Sequence, residues 1–117
     1  MKIICFDIDG VICKSNSNNY KKSLPIVKNI NLINLLFDSG FVIKLYTARY
    51  MGRNFDNQKK SEKQIKKFTV NQLKKWKVKY HNIFFGKPSF DMLIDDKSIF
   101  FRSDWPKLLE KQIFKIK

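Results

Sequence analysis

Asp7 and Asp9 stand one residue apart behind the apolar run Ile3-Ile4-Cys5-Phe6 and lead directly into Gly10. Alternate side chains of an extended segment point the same way, so the two carboxylates converge just past the strand's end, where Gly10 permits a tight turn. Two like charges that close repel each other unless one keeps a proton or a cation sits between them. Proton transfer and cation binding are the chemistries this pair offers; a plain polar turn after a strand is the competing reading. Further chemistry-bearing residues follow other apolar runs: Thr47 after residues 41–46, Lys87 after 82–85, and Asp95-Asp96 after 90–94. Carboxylates without histidine or cysteine suit a hard, oxygen-seeking ion, Mg²⁺ first. A lysine and a hydroxyl beside them suit a phosphoryl group.

These residues act together only if strands carry them to one edge. Four consecutive apolar residues, 3–6, read as a strand buried on both faces, central in a parallel sheet. Residues 14–22 are polar and read as a loop. Ser23 as cap and Pro25 in the first turn open a helix whose face is Ile26, Ile30, Ile33 and Phe37, stopped by Ser39-Gly40. A second strand spans 41–46 and ends in Thr47-Ala48-Arg49. After a loop over 50–58, Ile65, Phe68, Leu73 and Trp76 mark a helix over 59–77. Strands are expected at 82–85, 90–94 and, as an edge, 99–101, and Asp104 with Pro106 opens a closing helix to about residue 114. Strands alternating with helices imply an α/β, doubly wound, Rossmann-like and mostly parallel sheet of about five strands flanked by helices. Ligands of such sheets bind beyond the carboxyl ends of the strands, where all of these residues fall.

At 117 residues, one domain over 1–117 is expected. Cys5 and Cys13 match neither zinc-site nor redox spacing and read as packing in a reducing compartment. Asp7 and Asp9 interrupt the apolar start before a signal-peptide core forms, and no stretch is long enough to span a membrane, so a cytoplasmic protein without a membrane partner is expected. Twenty-four Lys and Arg against ten Asp and Glu give a formal charge of +14, which points to an anionic partner such as nucleic acid or phosphorylated substrates. Richness in Lys, Ile, Phe and Asn also follows from A- and T-rich codons, so genome composition is an equal explanation. The lysines between Lys59 and Lys79 read as a solvated helix face, with a polyanion-binding surface as the alternative.

The ordered set Phe6-Asp7-Ile8-Asp9-Gly10-Val11, Thr47, Lys87 and Asp95-Asp96 resembles the haloacid dehalogenase-like superfamily of phosphatases and phosphotransferases, over residues 2–101. The resemblance implies that Asp7 is the nucleophile, forming an aspartyl-phosphate, and that Asp9, starting protonated, serves as general acid and then base. It implies Mg²⁺ held by Asp7, the Asp9 carbonyl and Asp95, with Asp96 direct or through water. Thr47 and amides near it, Gly10 and Ala48 among them, would receive the phosphoryl oxygens, and Lys87 would pair with Asp7 and the phosphate. No cap domain fits between the motifs, so the site is expected to be open, taking bulky substrates or closing against a neighbouring subunit of a homo-oligomer.

A narrower resemblance, carried by Tyr46-Thr47-Ala48-Arg49, Met51-Gly52-Arg53, Gln72-Leu73 with Trp76, Tyr80-His81 and Phe85-Gly86-Lys87-Pro88 through Asp95-Asp96-Lys97, is to small bacterial members found with capsule or surface-polysaccharide genes. It implies a Mg²⁺-dependent phosphomonoester hydrolase acting on a small phosphorylated metabolite, a sugar phosphate of surface-glycan synthesis. Arg49 and Arg53 would grip an anionic part of the substrate, solvated loop arginines being the alternative. His81 is expected to be structural. The rival functions are phosphatase action on a nucleic-acid end, and a non-enzymatic phosphate-binding or interaction module.

Overall fold

The computed structural model describes residues 2–16, 19–99 and 101–116. In chain order the elements are β1 (Ile3–Asp7), β2 (Cys13–Asn16), β3 (Asn19–Pro25), α1 (Val27–Asp38), β4 (Val42–Thr47), α2 (Gln58–Lys75), β5 (Asn82–Phe85) and α3 (Trp105–Ile116). β1, β4 and β5 form a parallel sheet in that order, with Phe6 beside Leu45 and Leu45 beside Ile83. The architecture is α/β, a parallel sheet flanked by helices, as the alternation of patterns implies.

One sheet face carries the core. Phe6, Ile43 and Leu45 point into a cluster with Ile30, Ile33 and Leu36 of α1, Leu73 of α2, and Trp105, Leu109 and Ile113 of α3. Trp105 meets Phe6 with ring centroids 5.9 Å apart. The opposite parity, Ile3, Cys5, Val42, Lys44, Tyr46 and Phe84, contributes nothing to that cluster, and Ile3, Cys5 and Phe84 are exposed.

Four expectations change. Three parallel strands replace about five: residues 90–94 form no strand, nor do Ile99 and Phe101, and Phe100 lies outside the described residues. The reason is tether length, because only residues 86–89 separate β5 from the expected next strand, whereas a parallel crossover takes a dozen residues or more. β1 is consequently an edge strand with one open face, not a central strand buried on both, and Cys5 is exposed where packing was expected. The expected loop over 14–22 is instead the antiparallel pair β2–β3, with Cys13 opposite Pro25. Ser23 lies in β3 and does not cap α1, which begins after Ile26 without a side-chain cap.

The other boundaries follow local chemistry. Gly40, at φ 96°, ends α1 as Phe41 N donates to Leu36 O at 3.1 Å. Asn57 caps α2 by accepting from Lys60 N, and Lys74 and Lys75 occupy its last turn, where the helix dipole favours cations. His81 is structural: its Nδ1 accepts Ile43 N at 3.0 Å and its ring stacks on Phe37. Among the described residues no helix is long and apolar enough to cross a membrane.

Candidate active site

The carboxyl ends of β1, β4 and β5 bring Asp7, Thr47 and Lys87 to one edge. Lys87 Nζ lies 3.3 Å from Asp7 Oδ2, and the Lys87 amide donates to Thr47 O at 3.1 Å, so the backbone after β5 is locked to the end of β4. Asp7 Oδ1 accepts the Ile8 amide at 2.9 Å. Burial pushes the Asp7 carboxyl above its ordinary range; Lys87 and the Ile8 amide oppose the shift, and the neighbouring Asp9 adds to it. Thr47 is fully buried, its Oγ1 accepting the Arg49 amide at 3.1 Å, and Ala48 O accepts the Met51 amide. Gly10, at φ 90°, donates to Cys13 O at 2.7 Å and turns the chain toward β2.

Gly86 sets the approach of Lys87. It sits at φ 102°, and a Cβ there would fall 2.3 Å from Gln58 Cγ at the start of α2. Gly86→Ala is therefore expected to lower stability by about 1–2 kcal/mol, read by urea denaturation. An unchanged midpoint would show that this turn does not position Lys87.

Asp9 and Arg49 do not take the places expected of them. The guanidinium grips the Asp9 carboxylate with both arms, Nε to Oδ2 and Nη2 to Oδ1, each at 2.9 Å. Nη1 donates to Thr69 Oγ1 and Gln72 Oε1, and Nη2 also reaches Cys13 Sγ at 3.8 Å. All five donors of the fork are used, and Arg49 is 1% exposed, so it has nothing left to grip a substrate. Its role is structural, tying the turn after β1 to α2. Asp9 Oδ1 also accepts from Ser15 Oγ, which in turn bonds Ser23 Oγ at 2.7 Å. Both Asp9 oxygens are therefore held as acceptors. Arg53 is exposed, its guanidinium 4.2 Å from the Tyr50 ring.

The shell around Arg49 has residues that pattern reading did not single out. The buried stripe of α2 is Ser61, Ile65, Thr69 and Leu73, polar at two of four positions because Thr69 faces Arg49 and Ser61 supports the loop before the helix. Ser61 Oγ donates to Tyr50 O and Asn57 O, and Asn54 donates to Ser61 and Gln64. Tyr20 of β3 lies over the guanidinium at 4.6 Å, and Gln72 donates to Tyr20 O. The one available signal was Ser, Thr and Gln recurring on the inner face of a helix otherwise full of lysine. Tyr50, Phe55 and Asp56 all have positive φ in this loop, and Asp56 accepts from the amide and hydroxyl of Ser89, which hold its carboxyl below its usual range.

Asp95 and Asp96 are not brought to this edge. They are exposed, in a segment without secondary structure, and Asp95 Oδ1 accepts the Lys97 amide at 2.8 Å. Among the described residues no three His, Cys, Asp or Glu side chains converge. Asp7 is partly open and the Asp9 carboxylate is taken by Arg49, so of the carboxylates expected around Mg²⁺ this edge offers Asp7, with Asp95 and Asp96 apart from it.

No family model matches this chain, and no curated protein matches it. A structural-genomics target from Vibrio cholerae superposes with a TM-score of 0.79 at 27% identity, over 96% of this chain and 99% of that one. D,D-heptose 1.7-bisphosphate phosphatase from B. bronchiseptica, solved with magnesium and phosphate, superposes with a TM-score of 0.52 at 16% identity, over 99% of this chain and 64% of that one. The second likeness is one of fold.

Proposed function

We propose that this protein is a phosphomonoester hydrolase that receives a phosphoryl group on Asp7. The observation that carries the reading is the meeting of Asp7 and Lys87, 3.3 Å apart, with Thr47 beside them at the end of a parallel sheet. Motif order supports it, as does the fold shared with a phosphatase solved with magnesium and phosphate. An Asp7 oxygen attacks phosphorus as the ester P–O bond breaks, and Lys87 balances charge on the carboxylate and the phosphoryl oxygens. Water then attacks phosphorus, releasing phosphate and restoring Asp7. Asp9 is the proposed proton carrier for the leaving oxygen, and its turn requires the Arg49 pair to open. Mg²⁺ is the proposed cofactor, and when bound it would offset the charge on the phosphoryl oxygens. The proposed substrate is a small phosphorylated metabolite, a sugar phosphate of surface-glycan synthesis, in the cytoplasm. Incubated with Mg²⁺ and a broad panel of phosphorylated metabolites, the purified chain is expected to release phosphate. No release from any member would leave a phosphate-binding module as the better reading.

A nucleic-acid end is the second substrate reading, favoured by one feature. The amino end of α2 abuts Gly86, and from there Lys59, Lys60, Lys63, Lys66, Lys67, Lys74 and Lys75 run exposed along the helix. An 18-residue helix extends about 27 Å, enough to follow several phosphates. Oligonucleotide binding is then expected to weaken by about 10³-fold or more between low and moderately high salt. Absence of binding at low salt ends this reading.

A further inference from the structure

The acidic pair that the sequence groups with Asp7 sits on an arm, residues 90–98, whose Phe90 ring lies 5.5 Å from Lys87 Nζ and which is followed by Ile99 packed against the core. Phe90, Met92, Leu93 and Ile94 are all exposed, Ile94 at 93%. A contiguous apolar run of this size left in water marks an interaction site. The same chain presents a counterpart. Among the described residues no strand pairs with the outer edge of β1, and Ile3, Cys5, Tyr46 and Phe84 form a face that no helix covers. On that face lies a shallow depression of about 620 Å³ lined by Cys5, Tyr46, Met51, Phe84 and Pro88 among others.

Arm and edge cannot meet within one chain. Residues 86–89 span at most about 14 Å, whereas a strand parallel to β1 on its outer edge begins about 16 Å back along the sheet and three strand spacings, about 14 Å, across from the end of β5. A hinge this short directs a strand to a neighbouring molecule in place of its own sheet.

We infer that a second copy of this chain completes the site: residues 90–94 of each protomer lie along the free edge of β1 in the other and carry Asp95 and Asp96 to its Asp7. Charge favours the exchange, since residues 90–97 hold three aspartates and one lysine in a chain of net charge +14, and the receiving side carries Lys2, Lys44 and Lys87 against Asp7 and Asp56. Area favours it too. Four apolar side chains from each arm bury about 1,000 Å², and the surface they cover brings the total to about 2,000 Å², the size of a stable interface. The exchange is reciprocal, so it closes as a twofold dimer and leaves no free end. Residues 95–104 extend up to about 33 Å, so α3 can stay on its own core at Phe6 while the arm crosses and Ile99 leaves its place against that core.

The inference rests on the phosphatase reading for what the acids do, and three experiments separate the two. In sedimentation the wild-type chain is expected to be a dimer at micromolar concentration, and Leu93→Glu/Ile94→Glu a monomer with unchanged far-ultraviolet circular dichroism. A monomeric wild type, or a double variant that still dimerises, overturns the inference. Asp7→Asn and Asp95→Asn/Asp96→Asn, each inactive alone, are expected to recover about a quarter of the wild-type rate when refolded together, because half the pairs are mixed and each mixed pair has one intact site. No recovery in a mixture shown to contain mixed dimers overturns it. If the wild type releases no phosphate, the phosphatase reading fails and the third experiment decides. Leu93→Cys and Ile94→Cys point to opposite faces of a strand, so one of them is expected to form a disulfide with exposed Cys5 of the other copy. A bond only within one chain, or none between chains in either variant, overturns the exchange.

Discussion

Asp7→Asn is expected to abolish phosphate release, lowering turnover by about 10³-fold or more, because an amide oxygen cannot take a phosphoryl group to give a hydrolysable acyl phosphate. The fold is expected to survive. Asn retains the oxygen that accepts the Ile8 amide at 2.9 Å, and it sits at an edge where Asp7 is already partly exposed. Stability should even rise at neutral pH. Burial raises the Asp7 carboxyl above its ordinary range despite Lys87, so the folded chain binds this proton more tightly than the unfolded one. For a group shifted that way, the stabilising contribution is present below the ordinary carboxylate range and is lost as pH rises through the raised value. Ionised Asp7 is therefore a cost at neutral pH, and removing it should raise Tm there, with the gain vanishing in acid, where the native carboxyl is protonated in both states. Phosphate release and thermal melts of metal-free protein across pH check both halves. Turnover retained by the variant would remove Asp7 from the chemistry, and a Tm lowered at neutral pH would mean that the Lys87 pair outweighs desolvation.

Arg49→Met is expected to cost about 3 kcal/mol, a fall in Tm of about 10 °C or more. The loss comes less from the ion pair itself than from what its removal strands. Asp9 loses both arms of the fork, while Thr69 and Gln72 lose their donor on the inner face of α2. Tyr20 loses the cation beneath its ring, so the packing of β3 over the site should loosen as well. Arg49→Lys should recover little, since an ammonium cannot form the fork. Adding Asp9→Val to Arg49→Met should restore much of the stability, because two apolar groups leave no stranded charge. Urea denaturation of the four proteins measures this. A change below about 0.5 kcal/mol in Arg49→Met would show that solvent reaches Asp9 well enough to replace the guanidinium.

The strands that carry the chemistry were legible because their cause is local. An apolar run ending in Asp7-Ile8-Asp9-Gly10, another ending in Thr47 and a third ending in Gly86-Lys87 each specify a strand and a turn without reference to the rest of the chain. The stop of α1 was legible for the same reason, since Gly40 acts on backbone groups within a few residues of itself, but its start was not, because Ser23 is drawn into β3 by its pairing with β2. Periodicity could not reveal whom Arg49 faces, since its partners come from residues 9, 69 and 72 and only packing brings them together. Read as a hand for substrate, it is a buried clamp on Asp9. Nor could composition separate a strand that joins its own sheet from one that cannot. Residues 90–94 have the apolar character of a strand, yet the four residues before them are too few for a parallel return, a limit visible only once β5 is known to lie on the far side of β4. Residue types along the chain determined which carboxylates, hydroxyl and cation stand at strand ends; the three-dimensional path of the backbone decided which of them meet, because side chains distant in sequence converge only where connections are long enough to let them.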